Sequence, residues 1–313
     1  MRLGAVVIAY NSAEHIGDCL DSSLRFASDF EAGILVIDNA STDGTVERSR
    51  SHSGVQTVEN RENRGFAGAV NQGFQILNDA EAILILNPDV ILLDSPSKLA
   101  AELTVSNVAA VGGKLLDREG RAQAGFQVRR FPTAATLVFE NLGLNRLCKW
   151  NPVNRRYRCF DLDPALPANV EQPAGACLLV RRAAWQAVGG MDEGFFPVWF
   201  EDVDFLKRLA AAGWKSRYVA AFSARHAGGH SVQSVEWGQR QLYWCGSLLR
   251  YAAIHCSTIG LWAVGISMLL GWVPRAVTGM FLQRSLRCLT EYEKMFRLVG
   301  AYLWQGRSEA RLP

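Results

Sequence analysis

The chain contains no Cys-x-x-Cys pair. Its seven cysteines, Cys19, Cys148, Cys159, Cys177, Cys245, Cys256 and Cys288, are scattered and odd in number. That argues against a disulfide framework or a zinc site and suits a reducing compartment. No Gly-x-Gly-x-x-Gly follows the first apolar run, and no Gly-Lys-Ser/Thr occurs, so two common ways of cradling a nucleotide are disfavoured. No charge of one sign dominates. The net charge is only +3, too weak to make nucleic acid a bulk partner. Low complexity is missing as well: 20% of residues are charged, 49% are hydrophobic, and Gly accounts for 28 of 313. Such a chain can form one large domain with an appendage, or two domains. The opening run "GAVVIAY" is too short for a signal peptide and lacks a convincing cleavage site, so it reads as a first strand.

What is present is alternation. Short apolar runs occur at 5–10, 33–38 and 82–86, with helical patterns between them. Ile16, Leu20, Leu24 and Ala27 share one face of 13–28; Val70, Phe74 and Leu77 share one face of 67–78. Strands that are apolar throughout, alternating with amphipathic helices, predict a parallel sheet covered on both faces. Ligands of such sheets bind beyond the carboxyl ends of the strands. Those ends are polar here: Tyr10-Asn11-Ser12, then Asp38-Asn39-Ala40-Ser41-Thr42-Asp43-Gly44, then Asn87-Pro88-Asp89. A fourth polar group, "NRENRGFAGAVNQG" (60–73), opens a helix. Its Gly65 and Gly68 allow close backbone approach, and a helix N-terminus suits a diphosphate. Each piece has a plainer reading: Asn-Pro-Asp is turn chemistry, Ser41 or Thr42 can cap a helix, and glycines can serve packing. Four polar tips on one sheet edge favour a nucleotide site.

Residues 172–205 carry the second signal. "ACLLV" reads as a buried strand and "AAWQAVGG" as a short helix. After "FFPVWF" comes a helix ending at Gly213, with Glu201, Asp202 and Asp204 at its start. Acidic residues favour helix starts through capping and the macrodipole. An apolar wall before Glu201-Asp202 also raises a carboxylate's pKa and makes it a better base. Trp199 offers a flat face to a sugar ring, against the default of a core role. His226 and His230 fall in a glycine-rich loop and are candidate metal ligands.

Taken together, "VVIAYNS", "VIDNASTDGT", "NRGFAGAVNQG", "LNPDV", "QPAGACLLVRR" and "GGMDEGFFPVWFEDVDFLKR" resemble inverting glycosyltransferases of family 2, within them the bacterial rhamnosyltransferase-like branch. The resemblance covers about residues 3–231, with six motifs in order. It implies an α/β GT-A fold: a Rossmann-like nucleotide-binding half fused to an acceptor half around a mixed sheet, in residues 1–235. Residues 236–313 then form a C-terminal helical extension. By position, it implies that Tyr10, Asn11 and Asp38 contact base and ribose. Asn63 and Gly65 lie near ribose and diphosphate, and Asn39, Asn71 and Asn87 belong to the same nucleotide-binding set. Asp89 matches the last aspartate of the family's Asp-x-Asp metal motif and His226 the histidine that completes it, for Mg²⁺ or Mn²⁺. The motif's first aspartate is here Asn87, which removes one carboxylate. Asp202 matches the catalytic base, and Gly175, Trp199 and Glu201 the acceptor site.

The implied reaction moves a sugar from a nucleotide-sugar donor to the hydroxyl of a glycan or polyprenyl-diphosphate-linked glycan in cell-envelope polysaccharide synthesis. Rhamnose from dTDP-rhamnose is the best match, with a UDP- or GDP-sugar as the alternative. Two rivals come from other classes. A nucleotidyltransferase would show a Gly-rich, Arg/Lys-bearing loop after its first strand, which "AYNSAEHIG" is not. A non-catalytic nucleotide-sugar or glycan-binding module is opposed by intact Asp38, Asp89, Asp202 and His226.

From Tyr251 to Pro274 there is no Lys, Arg, Asp or Glu, a length that can span a bilayer. Gly260, Gly265, Gly271 and the later Arg284, Arg287, Lys294 and Arg297 oppose a span, because a cytoplasmic active site would put those cations on the wrong side. Leu289, Tyr292, Phe296, Val299 and Leu303 lie near one helical stripe. Monotopic attachment to the inner face of the cytoplasmic membrane through interfacial helices is the preferred expectation. A hairpin or span comes next, then a buried helix pair or a homo-oligomer interface.

Overall fold

The computed structural model describes residues 1–228, 236–283 and 287–304, with side chains outside 275–289 and 291. The strands are β1 (Leu3–Ala9), β2 (Ile34–Asp38), β3 (Val55–Glu59), β4 (Ala82–Leu86), β5 (Val90–Leu92), β6 (Val108–Leu116), β7 (Val128–Arg129), β8 (Ala168–Val170), β9 (Gln172–Pro173), β10 (Cys177–Arg181) and β11 (Lys215–His226). The α-helices are α1 (Ile16–Leu24), α2 (Thr45–Arg50), α3 (Gly65–Ile76), α4 (Ser97–Ala100), α5 (Ala134–Asn141), α6 (Leu144–Leu147), α7 (Pro152–Tyr157), α8 (Arg182–Ala187), α9 (Glu201–Ala211), α10 (Trp237–His255), α11 (Thr258–Gln283) and α12 (Arg287–Trp304).

Every residue of β1, β2 and β4 is buried, as expected of strands covered on both faces. They lie in a nine-stranded sheet of order β3-β2-β1-β4-β10-β6-β11-β5, with β8 added on β11. The parallel sheet read from the periodicity is confined to β3, β2, β1 and β4. Beyond them β10 runs antiparallel to both β4 and β6, and β11 runs parallel to β6 and antiparallel to β5 and β8. An apolar run does not carry its own direction, so this mixture was not legible from the runs; the family resemblance is what implied it.

The mixed directions place the chemistry. The carboxyl ends of β1, β2, β4, β6 and β11 share an edge with the amino end of β10. In register, Cys177 pairs with Leu86 and His226 with Val90. Helix α3 lies tightly over β1: a Cβ on Gly73 would sit 2.6 Å from Val6 Cγ2. His226 closes β11 and is not in a loop, as the sequence reading had placed it. His230 lies outside the described residues.

Two compact units result. The first holds Met1–Arg130, Arg158–Glu193 and Glu201–Ser234; the second holds Phe131–Tyr157, Gly194–Phe200 and Val235–Pro313. Within the second, α5 packs on α11, where Asn141 Nδ2 donates to the Val264 carbonyl at 3.2 Å and to Ser267 Oγ at 3.1 Å. Val299 and Leu303 of α12 approach α11 at Gly265. Another face of α11 is exposed at Ile259, Trp262, Ile266, Leu270 and Val273, with the Trp262 ring edge-on to Trp304 of α12 at 5.5 Å. No helix among the described residues is long and apolar enough to cross a membrane.

Candidate active site

Asp38 ends β2, fully buried. Its Oδ2 accepts the Ser41 N–H at 2.9 Å, while Oδ1 is buried with no hydrogen-bond partner. Burial raises its pKa, and the hydrogen bonds from Ser41 oppose the rise. A buried acceptor without a donor is costly, so Oδ1 is an open position for a ligand N–H. Tyr10 and Asn11 leave β1 beside it. Asn11 has φ +47°, its N–H donates to Ser41 Oγ at 2.9 Å, and its Oδ1 accepts the Thr42 N–H at 2.8 Å. Ala40 also has a positive φ, +66°. Non-glycine residues in that region are uncommon and cluster at functional sites.

The asparagines of the second polar group shape backbone. Asn39 Nδ2 donates to Asn63 Oδ1 and to the Gly65 carbonyl, both at 3.0 Å, and its Oδ1 accepts the Arg64 N–H at 3.0 Å. Asn63 Oδ1 also accepts the Gly65 N–H at 2.8 Å. Asn60 and Gln72 exchange amide bonds at 3.0 and 2.9 Å. This uncharged net fixes the entrance to α3, where Gly65 has φ +73°. Asn71 is occupied elsewhere: its amide donates to the Met191 carbonyl and Glu193 Oε1, both at 2.9 Å, and accepts the Met191 N–H at 3.0 Å.

The tip of β4 is a tight turn in which the Val90 N–H returns to the Asn87 carbonyl at 3.2 Å. Asp89 Oδ2 accepts the Gly228 N–H at 2.7 Å, and Oδ1 lies 3.6 Å from His226 Nε2. Both side chains are buried. A carboxylate oxygen and an imidazole nitrogen at that separation fit two ligands of one Mn²⁺ or Mg²⁺, with phosphate oxygens and water completing the shell. No group of three or more His, Cys, Asp or Glu that could hold a metal occurs among the described residues, consistent with the carboxylate missing at Asn87.

Three carboxylates open α9, and their surroundings separate them. Asp204 is buried and bonded to Arg208 Nε at 2.7 Å, whose other nitrogens hold the carbonyls of Val188 and Gly190. Glu201 is buried; burial, then the negative charge of Asp202, holds its pKa well above the usual carboxylate range. Asp202 is half-buried. Burial raises its pKa, opposed by the Val203 N–H, the positive charge of Arg129 and the Gly175 N–H. Gly175 donates to Asp202 Oδ2 at 3.3 Å, and a Cβ there would fall 2.6 Å from that oxygen. One residue on, the Ala176 carbonyl accepts the Asn87 N–H at 2.9 Å. Asp202 is thereby tied to the Asn-Pro-Asp tip through two consecutive backbone positions, Gly175 and Ala176.

Trp199 belongs to the second unit, where its ring meets Trp244 edge-on at 5.6 Å. Trp199 and Phe200 have φ +82° and +68°. Sequence reading missed Gln123, Phe126 and Arg129, which the structure places around His226 and Asp202. They lie in "GRAQAGFQVRR", which carries no motif, and no local signal marks them.

Comparison with known proteins now bears on the geometry. The description "Glycosyl transferase family 2" matches residues 5–188, and "Glycosyl transferase family group 2" matches residues 154–304. The chain is 30% identical over 249 residues to N-acetylglucosaminyl-diphospho-decaprenol L-rhamnosyltransferase of Mycobacterium tuberculosis, covering 74% of this chain and 77% of that protein. It is 30% identical over 158 residues to rhamnosyltransferase WbbL of Escherichia coli, covering 50% of this chain and 56% of that one. Among solved structures, GalNAc-T7 with UDP, GalNAc and Mn²⁺ superposes with a TM-score of 0.55 at 13% identity, over 82% of this chain and 51% of that chain. The mannosyltransferase PcManGT of Pyrobaculum calidifontis with GDP-Man and Mn²⁺ gives 0.53 at 18%, over 97% and 87%.

Proposed function

The chain belongs to glycosyl transferase family 2 and has the GT-A fold, and from that premise we propose that it transfers rhamnose from dTDP-rhamnose to a hydroxyl of a polyprenyl-diphosphate-linked glycan, with inversion, in cell-envelope polysaccharide synthesis. The observation that carries the reading is the tie between base and donor tip. Asp202 is held by Gly175, and the next residue, Ala176, is bonded to Asn87. A half-buried carboxylate thus stands beside the position proposed for a leaving diphosphate.

Asp202 takes the proton as the acceptor oxygen attacks the anomeric carbon, and the nucleoside diphosphate departs from the opposite face. A raised pKa brings its basicity nearer the operating pH, and such assistance is worth about 10²–10⁴-fold. Glu201, buried beside Asp202 with a pKa raised by burial and by that residue's charge, positions the acceptor. Asp38 Oδ1 accepts the imide N–H of thymine or uracil. Asp89 and His226 would hold Mg²⁺ or Mn²⁺, which when bound neutralises charge on the departing diphosphate. The relatives named as rhamnosyltransferases support the donor sugar, and the diphospho-decaprenol in one name supports the acceptor class.

The exposed face of α11 supports a membrane surface as partner, on the cytoplasmic side. Ile259, Trp262, Ile266, Leu270 and Val273 follow one helical stripe about 21 Å long at 1.5 Å per residue, in a segment without charge from 251 to 274. With no helix among the described residues able to span, such a stripe lies in the interface plane. Ile266→Glu with Leu270→Glu should abolish flotation with phosphatidylglycerol vesicles and leave donor binding intact. Unchanged flotation, or loss of a dimer instead, would move the stripe to an oligomer interface.

The decisive assay offers dTDP-rhamnose, UDP-hexoses and GDP-sugars with a polyprenyl-diphosphate-N-acetylglucosamine acceptor and weighs the products by mass spectrometry. Rhamnosyl product is expected. Transfer from a UDP- or GDP-sugar alone would change the donor. Donor binding without any transfer would make the chain a binding module.

A further inference from the structure

We propose that Gln123 is a positioning residue: it locks the His226 imidazole with its proton on Nδ1 and so presents an unprotonated Nε2 toward Asp89 for a divalent cation. The inference rests on reading Asp89 and His226 as cation ligands.

Gln123 reaches His226 through strand register. After β6 the chain turns at 117–121, where the Asp117 N–H bonds to the Arg121 carbonyl at 2.9 Å, and comes back alongside. Leu116 bridges Ala122, and the Gln123 N–H donates to the Leu115 carbonyl at 2.8 Å. Because β6 pairs with β11 at Leu115↔Ala224 and Leu116↔Arg225, Gln123 arrives beside the end of β11.

The amide's orientation then follows from what each partner can do. Gln123 Nε2 lies 2.8 Å from the His226 carbonyl oxygen, which only accepts, so the NH₂ group must face it. That leaves Oε1 turned to the ring, 3.3 Å from Nδ1. Two lone pairs cannot bond, so Nδ1 carries the hydrogen. The ring cannot easily turn over, because it stacks on Phe126 at 5.1 Å with planes 13° apart, and a flip would replace Nδ1 by a carbon. With the proton held on Nδ1, Nε2 offers its lone pair toward Asp89 Oδ1 at 3.6 Å. The opposite tautomer would aim an N–H at the carboxylate and close the position to a cation. Asp89 is held in the same manner, its other oxygen tied to the Gly228 N–H. Partners that orient a metal-binding histidine typically contribute about 10–100-fold in affinity.

The test uses full-length protein labelled with ¹⁵N-histidine, at about pH 8.5 with Mg²⁺ and dTDP, His226 being assigned by its loss in His226→Ala. The imidazole nitrogens should report Nδ1 protonated and Nε2 unprotonated. Any proton on Nε2 in this wild-type sample overturns the proposal, whether or not a variant folds. In Gln123→Met, folded by its amide spectrum and binding dTDP normally without metal, Mn²⁺ affinity measured by electron paramagnetic resonance should fall about 10–100-fold. An unchanged Mn²⁺ affinity overturns the proposal. Wild-type protein that binds no Mn²⁺ in the presence of dTDP would instead sink the cation reading itself.

Discussion

Replacing Gly175 with alanine should cost activity far more than stability. The added Cβ would lie 2.6 Å from Asp202 Oδ2, 3.0 Å from its Cβ and 3.1 Å from its Cγ. Ordinary contact begins near 3.4 Å, so the carboxylate must retreat by about 0.8 Å. The carboxylate can swing aside and Gly175 has no positive φ that alanine would resent, but the Asp202 Cβ, 3.0 Å away and fixed to the backbone, obliges the start of α9 to give by a few tenths of an ångström. A displacement near 1 Å in a reacting group costs about 10²-fold, and the base is worth about 10²–10⁴-fold. We therefore expect kcat to fall about 100-fold, with Tm lowered only modestly and dTDP affinity by calorimetry equal to the parent's. The double variant Gly175→Ala, Asp202→Asn should be no slower than Asp202→Asn alone, since the two changes act through one group. A kcat within threefold of wild type in Gly175→Ala, or full additivity in the double variant, would refute Asp202 as the base.

Arg129→Met removes the positive charge that lowers the Asp202 pKa, so the acid limb of the kcat/KM profile should move to higher pH. A limb at its original position would contradict that coupling. Glu201 has a folded-state pKa above its unfolded value. The native state therefore retains a proton the unfolded chain gives up, and stability falls as pH rises through that interval. Glu201→Gln should melt above the parent near about pH 8, the gap closing toward about pH 4.5; equal melting curves at both would show that Glu201 is not held protonated. EDTA should abolish transfer and Mn²⁺ should restore it, but not in Asp89→Asn; full activity in EDTA would remove the metal from the mechanism.

Features legible in the sequence were those fixed locally. β1, β2 and β4 announce themselves as unbroken apolar runs, and the polar residues after them fall at strand ends because a strand's length is written in its own residues. Asp38 ends one of those runs and Asp89 follows another for the same reason, whereas Asp202 stands at a helix start and its role was read from the family resemblance. Long-range pairing was illegible. Nothing in "CLLVR" says that β10 runs against β4, yet that direction brings Gly175 to the tip of β4. Asn39 and Asn71 were read as ligand contacts, but their amides are engaged by Gly65 and by Met191 and Glu193. An asparagine's type does not reveal which neighbour will claim it. Gln123 carries no motif and acquires its role only when the β6–β11 register sets it beside His226. Segments 131–157 and 194–200 gather with the C-terminal helices, a grouping decided by packing partners distant in the sequence, such as Val264 for Asn141 and Ser247 for Val198.

The link from Asp202 through Gly175 and Ala176 to Asn87 constrains how this enzyme can be recombined with its relatives. A crossover between residues 88 and 174 would join a donor tip from one parent to a base from another through a β4–β10 ladder neither parent had refined. An insertion or deletion of one residue in β10 would flip its side chains between faces and break the Ala176–Asn87 bond that sets the reacting groups apart. Length changes in the 117–121 turn, or after α9 at 212–214, leave that link whole. Shuffled libraries should yield active chimeras with crossovers at 212–214, and homologues should vary in length at both places while keeping the count from Gln172 to Asp204 fixed.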